Sequence, residues 1–172
     1  MLGSQQPARS PAYQAGACAL LVAVAAILGA LAFEYIGGYK PCPLCLEQRY
    51  AYYAGIPVLF LALALLAGRR NNLALILFVV AGLAFLANAG LGGYHAGAEW
   101  KLWAGPDSCT GDVGLTTNAG GLLKNLSKVQ VIRCDEPALR ILGLSLAGWN
   151  VLVSLLIALF AFRAAARARQ TD

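Results

Sequence analysis

The sequence predicts an all-α membrane protein, a four-helix transmembrane bundle with a short amphipathic helix in its second outer loop. Three observations lead there. The 172-residue chain is 59% hydrophobic and only 12% charged, where a soluble domain carries about 25% charge. Four runs have no charged residue, 10–33, 50–68, 71–95 and 141–162, and at about 1.5 Å per residue each can cross a hydrocarbon core of about 30 Å. Finally, threading those runs through a membrane collects six arginines on one side.

The first span is expected at 14–33. One arginine, Arg9, precedes it, its apolar stretch is longer than the ~7–15 residues of a signal-peptide core, and three comparable runs follow, so it reads as a retained span. The others are expected at 50–67, 73–91 and 142–162, making residues 1–172 a single integral membrane domain with both termini on one side. That side holds Arg9, Arg69, Arg70, Arg163, Arg167 and Arg169 against Asp172, which accounts for the whole net charge of +5. Lysines and arginines in short loops mark the cytoplasmic face. The chain is therefore expected to be multi-pass, with both termini in the cytoplasm and the longer loops on the outer side. The basic balance reflects topology and does not call for a nucleic-acid partner.

Function is expected in the two outer loops, 34–49 and 92–141, because the inner segments are minimal. In the second loop, Leu115, Leu122, Leu123, Leu126 and Val129 fall at helical spacing around Lys124 and Lys128. Residues 116–130 therefore read as an amphipathic helix, too short and polar to span, lying on the membrane or packed on the bundle. Tyr35, Tyr39, Tyr50, Tyr52, Tyr53, Tyr94, Trp100 and Trp103 cluster near the outer boundary, as an aromatic belt would.

Five cysteines carry the chemistry. Cys18 falls among alanines and leucines in span one, where a buried cysteine acts as a small hydrophobe. Cys42, Cys45, Cys109 and Cys134 all map to the outer loops, which meet an oxidising environment. Zinc would ask for two closely spaced pairs; only Cys42 and Cys45 are so spaced, and no metal is expected. Cys109 and Cys134 taken alone could simply staple the long loop. A disulfide across so small a ring as Cys42–Cys45 adds little stability, so its value lies in reversible exchange. Cys45 is placed where span two opens, with Arg49 one turn on, an arrangement that favours a thiolate. Arg49 reads equally as a snorkelling anchor. His95, the only histidine, falls at the same layer, as a structural or a site residue. With no dinucleotide or haem signature, a membrane quinone is the electron acceptor reached by elimination, with Arg49 and His95 as its polar contacts.

At these residues the chain resembles the bacterial disulfide bond formation protein B (DsbB) family. The matching features are Pro41-Cys42-Pro43-Leu44-Cys45, Gln48-Arg49 opening a span, Gly93-Tyr94-His95 closing one, Cys109 and Cys134 in the second outer loop, and Gly143-Leu144-Ser145-Leu146-Ala147-Gly148-Trp149-Asn150 leading into the last span. The likeness runs from the first span to the last. It implies a protein of the bacterial inner (cytoplasmic) membrane with its longer loops in the periplasm, a thiol:quinone oxidoreductase that reoxidises a periplasmic DsbA-like thiol oxidase and reduces ubiquinone, or alternatively menaquinone. On the family's pattern the partner attacks the Cys109–Cys134 disulfide at Cys109, Cys134 then attacks Cys42, and Cys45 hands electrons to the quinone beside Arg49. Rival expectations are a non-enzymatic assembly or channel protein with stapled loops, and a related oxidase or reductase such as the vitamin K epoxide reductase kind.

Overall fold

The computed structural model describes residues 10–105, 137 and 139–171. Its body is four long helices, α1 (Pro11–Tyr35), α2 (Pro43–Ala67), α3 (Asn71–Glu99) and α4 (Leu146–Ala168), with a 3-10 turn at Arg169–Thr171. All four are long and apolar enough to cross a membrane, with mean hydropathy between 1.9 and 2.5. Cys109, Cys134 and the amphipathic stretch 116–130 lie outside the described residues.

The helix starts have local causes. Ser10 caps α1 by accepting from the Tyr13 N–H at 3.2 Å, with Pro11 next, where a missing N–H costs nothing. Ser145 caps α4 in the same way, accepting from the Gly148 N–H at 3.2 Å. Cys42 caps α2, followed by Pro43.

Two boundaries differ most from the expected spans. α2 begins at Pro43 rather than near 50, because Pro43 and the Cys42 cap set where the helix starts, while hydropathy reports only where it becomes apolar. α3 continues to Glu99, past 91, and so carries His95 inside a regular helix. The first expected outer loop, 34–49, is therefore non-helical only over 36–42. An unanticipated hairpin precedes α4: β1 (Arg140–Ile141) pairs antiparallel with β2 (Leu144–Ser145). Leu142 and Gly143 turn it with positive φ of 53° and 85°, the geometry of a primed two-residue hairpin turn. The hairpin delivers Ser145 to the mouth of the bundle.

The helices form a closed ring in which α4 packs on α3 and α1, and α2 packs on α3 and α1, leaving α2 and α4 on the diagonal. Between helices there is no hydrophobic driving force in lipid, so close approach through small residues supplies the packing. The seams are accordingly alanine-rich, with Ala19, Ala23, Ala62, Ala161 and Ala164 fully buried. Phenylalanine rings fill the spaces left by Gly16, Gly55 and Gly82. A Cβ at Gly55 would stand 2.6 Å from the Phe85 ring, and one at Gly82 would stand 2.7 Å from Phe162. Leu21, Phe60, Leu83 and Leu152 point outward, as lipid-facing positions do. Cys18 joins them: it is exposed, off the buried α1 stripe of Ala12, Gly16, Ala19, Ala23 and Ile27, and does not have the buried environment expected of it.

Candidate active site

The end of the bundle bearing the α2 N-terminus gathers most of the buried polar groups. Pro41 and Pro43 flank Cys42 and bring the chain in extended, so that the Cys42 backbone (φ −75°, ψ 164°) leads directly into the first turn of α2. Three residues later Cys45 lies over the same face. The Cys42 Sγ accepts from the Cys45 N–H at 3.2 Å and stands 2.7 Å from the Cys45 Sγ. Both are free thiols here, and closing the bond, about 2.05 Å long, requires only a small side-chain movement. Together with His95 the two sulfurs form a cluster whose ligand atoms all lie within 4.8 Å of one another.

It is the Cys42 sulfur, not that of Cys45, that occupies the capping position and receives the helix N–H. Bonding to the Cys45 sulfur and burial together push the Cys42 thiol well above the usual cysteine range. Arg49, expected to assist Cys45, reaches it through its charge and is held from α1. Its Nη1 forms an ion pair with Glu34 Oε2 of α1, and its Nη2 reaches the Ala30 carbonyl at 3.5 Å. Only 12% of its side chain is exposed.

His95 is buried in the same cluster, with Nε2 3.6 Å from the Cys42 Sγ and 3.8 Å from Glu99 Oε1. A chain of side-chain amides sets its tautomer. The Asn150 Oδ1 accepts from the Tyr52 hydroxyl at 2.7 Å, so the Asn150 Nδ2 donates, to Gln48 Oε1 at 2.7 Å. Gln48 Nε2 then donates to His95 Nδ1 at 2.9 Å. With Nδ1 accepting, the imidazole proton sits on Nε2, facing Cys42 and Glu99. Asn88 extends the network inward, donating to Ser154 Oγ at 3.0 Å.

Beside the pair lies a cavity of about 440 Å³ between α1, α2 and α4, with Ala26, Ile27, Phe33 and Val153 among its apolar walls and Cys45, Arg49, His95 and Glu99 also lining it. Its size and make-up, apolar with a few convergent polar groups, are those of a small-molecule site.

These geometric facts meet independent sequence relationships. Residues 13–164 match the family described as disulfide bond formation protein DsbB. The chain belongs to that family. It is 34% identical over 146 residues to disulfide bond formation protein B 1 of Pseudomonas savastanoi pv. phaseolicola, covering 80% of each chain. With disulfide bond formation protein B of Herminiimonas arsenicoxydans it shares 33% identity over 153 residues, 86% of this chain and 88% of the other. An uncharacterized protein of Rickettsia prowazekii is 26% identical over 145 residues, 82% of this chain and 80% of the other. No solved structure matches. Cys42, Cys45 and the other residues lining the cavity all fall within the matched residues.

Of the six expected site residues, Cys42, Cys45, Arg49 and His95 come together at this end, and Cys109 and Cys134 lie outside the described residues. The sequence pattern did not mark Glu34, Tyr52 or Glu99 as site groups, and it carried Gln48 and Asn150 only as parts of motifs. Tyr52 is buried and bonded to Asn150, which removes it from the aromatic belt. Asparagine inside an otherwise apolar run, as at 88 and 150, was the available signal, because an intramembrane polar side chain requires a partner.

Proposed function

We propose that this chain is a thiol:quinone oxidoreductase of the inner membrane that reoxidises a periplasmic DsbA-type thiol oxidase and passes the electrons to membrane quinone. The observation that carries the reading is the Cys42–Cys45 pair, sulfurs 2.7 Å apart, opening on an apolar cavity of about 440 Å³ that also holds the Arg49 guanidinium. A quinone bound there supplies a sink for two electrons and two protons, and ubiquinone or menaquinone answers this description. The cavity's apolar walls suit its ring and isoprenoid tail, and the Arg49 N–H groups left over from Glu34 suit a carbonyl oxygen.

The protein's own part is positional. The N-terminal turn of α2 holds two sulfurs in register for bond closure. The Glu34 pair fixes Arg49 against α1, so its donors keep one direction. Lipid and packed helices exclude water. Each thiol exchange runs downhill in reduction potential, where about 30 mV of a two-electron couple is worth about 1.4 kcal/mol. Cys109 and Cys134 would receive the partner's electrons and relay them to Cys42. Six arginines on the side of the termini support an orientation that presents the cysteine pairs to the periplasm.

The test is partner-dependent loss of quinone absorbance with the purified full-length chain, ubiquinone and a reduced DsbA-type protein. Turnover at catalytic chain concentrations is the expected result. An inert mixture, with several quinones and a partner shown to be competent, would leave the loop cysteines as structural staples.

A further inference from the structure

Oxidising the Cys42–Cys45 pair breaks two S–H bonds and forms one S–S bond, so two protons must leave a site with little access to water. The structure narrows what can take them. His95 Nδ1 already accepts from Gln48, and its Nε2 carries a proton, so the imidazole meets the sulfurs as a donor. Two carboxylates line the cavity among the described residues, Glu34 and Glu99. Glu34 is held by Arg49. Glu99 is different: it is buried with its side chain 5% exposed, its Oε1 faces His95 Nε2 at 3.8 Å, and its Oε2 has no hydrogen-bond partner among the described residues. Ser145, brought in by the hairpin, and the Arg140 charge both act on the same carboxyl. Cys42 and Cys45 face it from α2, and both feel its charge. Oε2 is thus an atom in this pocket on which a proton can be placed without breaking an existing bond.

We infer that Glu99 is the proton acceptor of the cysteine pair, taking the Cys42 proton onto Oε2 as the disulfide closes and releasing it into the cavity, with His95 Nε2–H as the positioning group between them. The inference rests on the quinone reading above. The balance is complete: the electron pair goes to a quinone-class acceptor, the Cys42 proton passes through Glu99 to one acceptor oxygen, the Cys45 proton goes to the other, and Glu99 returns to its carboxylate. Because a carboxylate close to Cys42 holds that thiol's proton on, a charge-neutral side chain at 99 has two effects of opposite sign. It frees the thiolate, and it removes the group that carries the proton away.

The experiment uses the full-length chain in detergent micelles, wild type, Glu99→Gln and Glu99→Asp, with folding checked by thermal melting. One readout is single-turnover oxidation of the pre-reduced pair by a water-soluble ubiquinone analogue across pH. The other is iodoacetamide labelling of Cys42 across pH, read by mass spectrometry without quinone. Glu99→Gln is expected to slow quinone-dependent oxidation on the order of 100-fold and flatten its pH profile, while Cys42 labelling shifts to lower pH; Glu99→Asp recovers part of the rate. A lesion of folding alone does not produce opposite changes. Quinone oxidation by Glu99→Gln at the wild-type rate and pH profile overturns the inference and leaves the oxidoreductase reading standing. If the wild type reduces no quinone, that reading fails, and labelling alone decides Glu99: a Cys42 profile identical in both chains overturns its role, and a shifted one retains it as the group that holds the proton.

Discussion

The two ends of this bundle solve the problem of living in lipid in opposite ways. Toward the Arg69–Arg70 turn, the helices meet through alanine, glycine and phenylalanine, with rings seated on Gly16 and Gly82 and almost nothing polar inside. Toward the α2 N-terminus, Gln48, Tyr52, Asn88, His95, Glu99, Asn150 and Ser154 are all turned inward, most of them in one hydrogen-bonded chain. The first end uses only van der Waals contact, which is what membrane helices have to use. The second accepts the desolvation of amides and a carboxylate, a cost justified only where chemistry needs fixed donors. Stability and function are therefore carried by different ends, and substitutions should separate them.

The largest effect is expected from Cys45→Ser, which should bring quinone reduction to background while a melt in detergent stays near wild type; unchanged quinone turnover would take Cys45 out of the mechanism. At the junction of the two ends, Gly55→Leu drives a side chain into the Phe85 ring. Overpacking of about 1–3 kcal/mol should lower the melting temperature by several degrees, with activity per folded molecule retained; a loss of turnover without a loss of melting temperature would blur the division. Arg49→Ala should raise the apparent quinone KM about tenfold, one lost charge-assisted bond of ~1.4 kcal/mol, and an unchanged KM would reduce Arg49 to a clamp on Glu34. Asn150→Leu breaks the amide chain one step before Gln48. Buried bonds between membrane helices average about 0.6 kcal/mol, so kcat should fall severalfold with KM unchanged, and a larger fall in melting temperature than in kcat would make the network structural. Cys18→Ser, on the lipid face, should alter neither turnover nor melting measurably; a defect there would reveal a role the fold does not suggest.

The four spans were legible because hydropathy accumulates over about 20 residues, and no local error can hide it. Helix ends were less so. Glu47, Gln48 and Arg49 look like loop by polarity, yet the Cys42 cap and Pro43 start α2 ahead of them. The Cys42–Cys45 pair could be read from its spacing, and His95 and Arg49 could be placed at its layer by counting spans. Their partners could not, because the contacts that give them meaning link residues 47 to 102 positions apart. Arg49 at one turn from Cys45 was legible as a charge acting on that sulfur. Only the packing of α1 shows that Glu34 claims Arg49, and only the length of α3 brings Glu99 under His95. The Leu142-Gly143 turn was hidden for another reason, since leucine is a rare residue at positive φ.

The central claim is that the Cys42–Cys45 pair alone transfers its electrons to quinone. The most direct measurement is a single turnover of the full-length chain with Cys109 and Cys134 replaced by alanine, pre-reduced and mixed with a water-soluble ubiquinone analogue, counting thiols lost against quinone consumed. Loss of two thiols for each quinone reduced, with Cys42 and Cys45 joined in the product, is the predicted result. Thiols that persist in the presence of excess quinone would contradict the account.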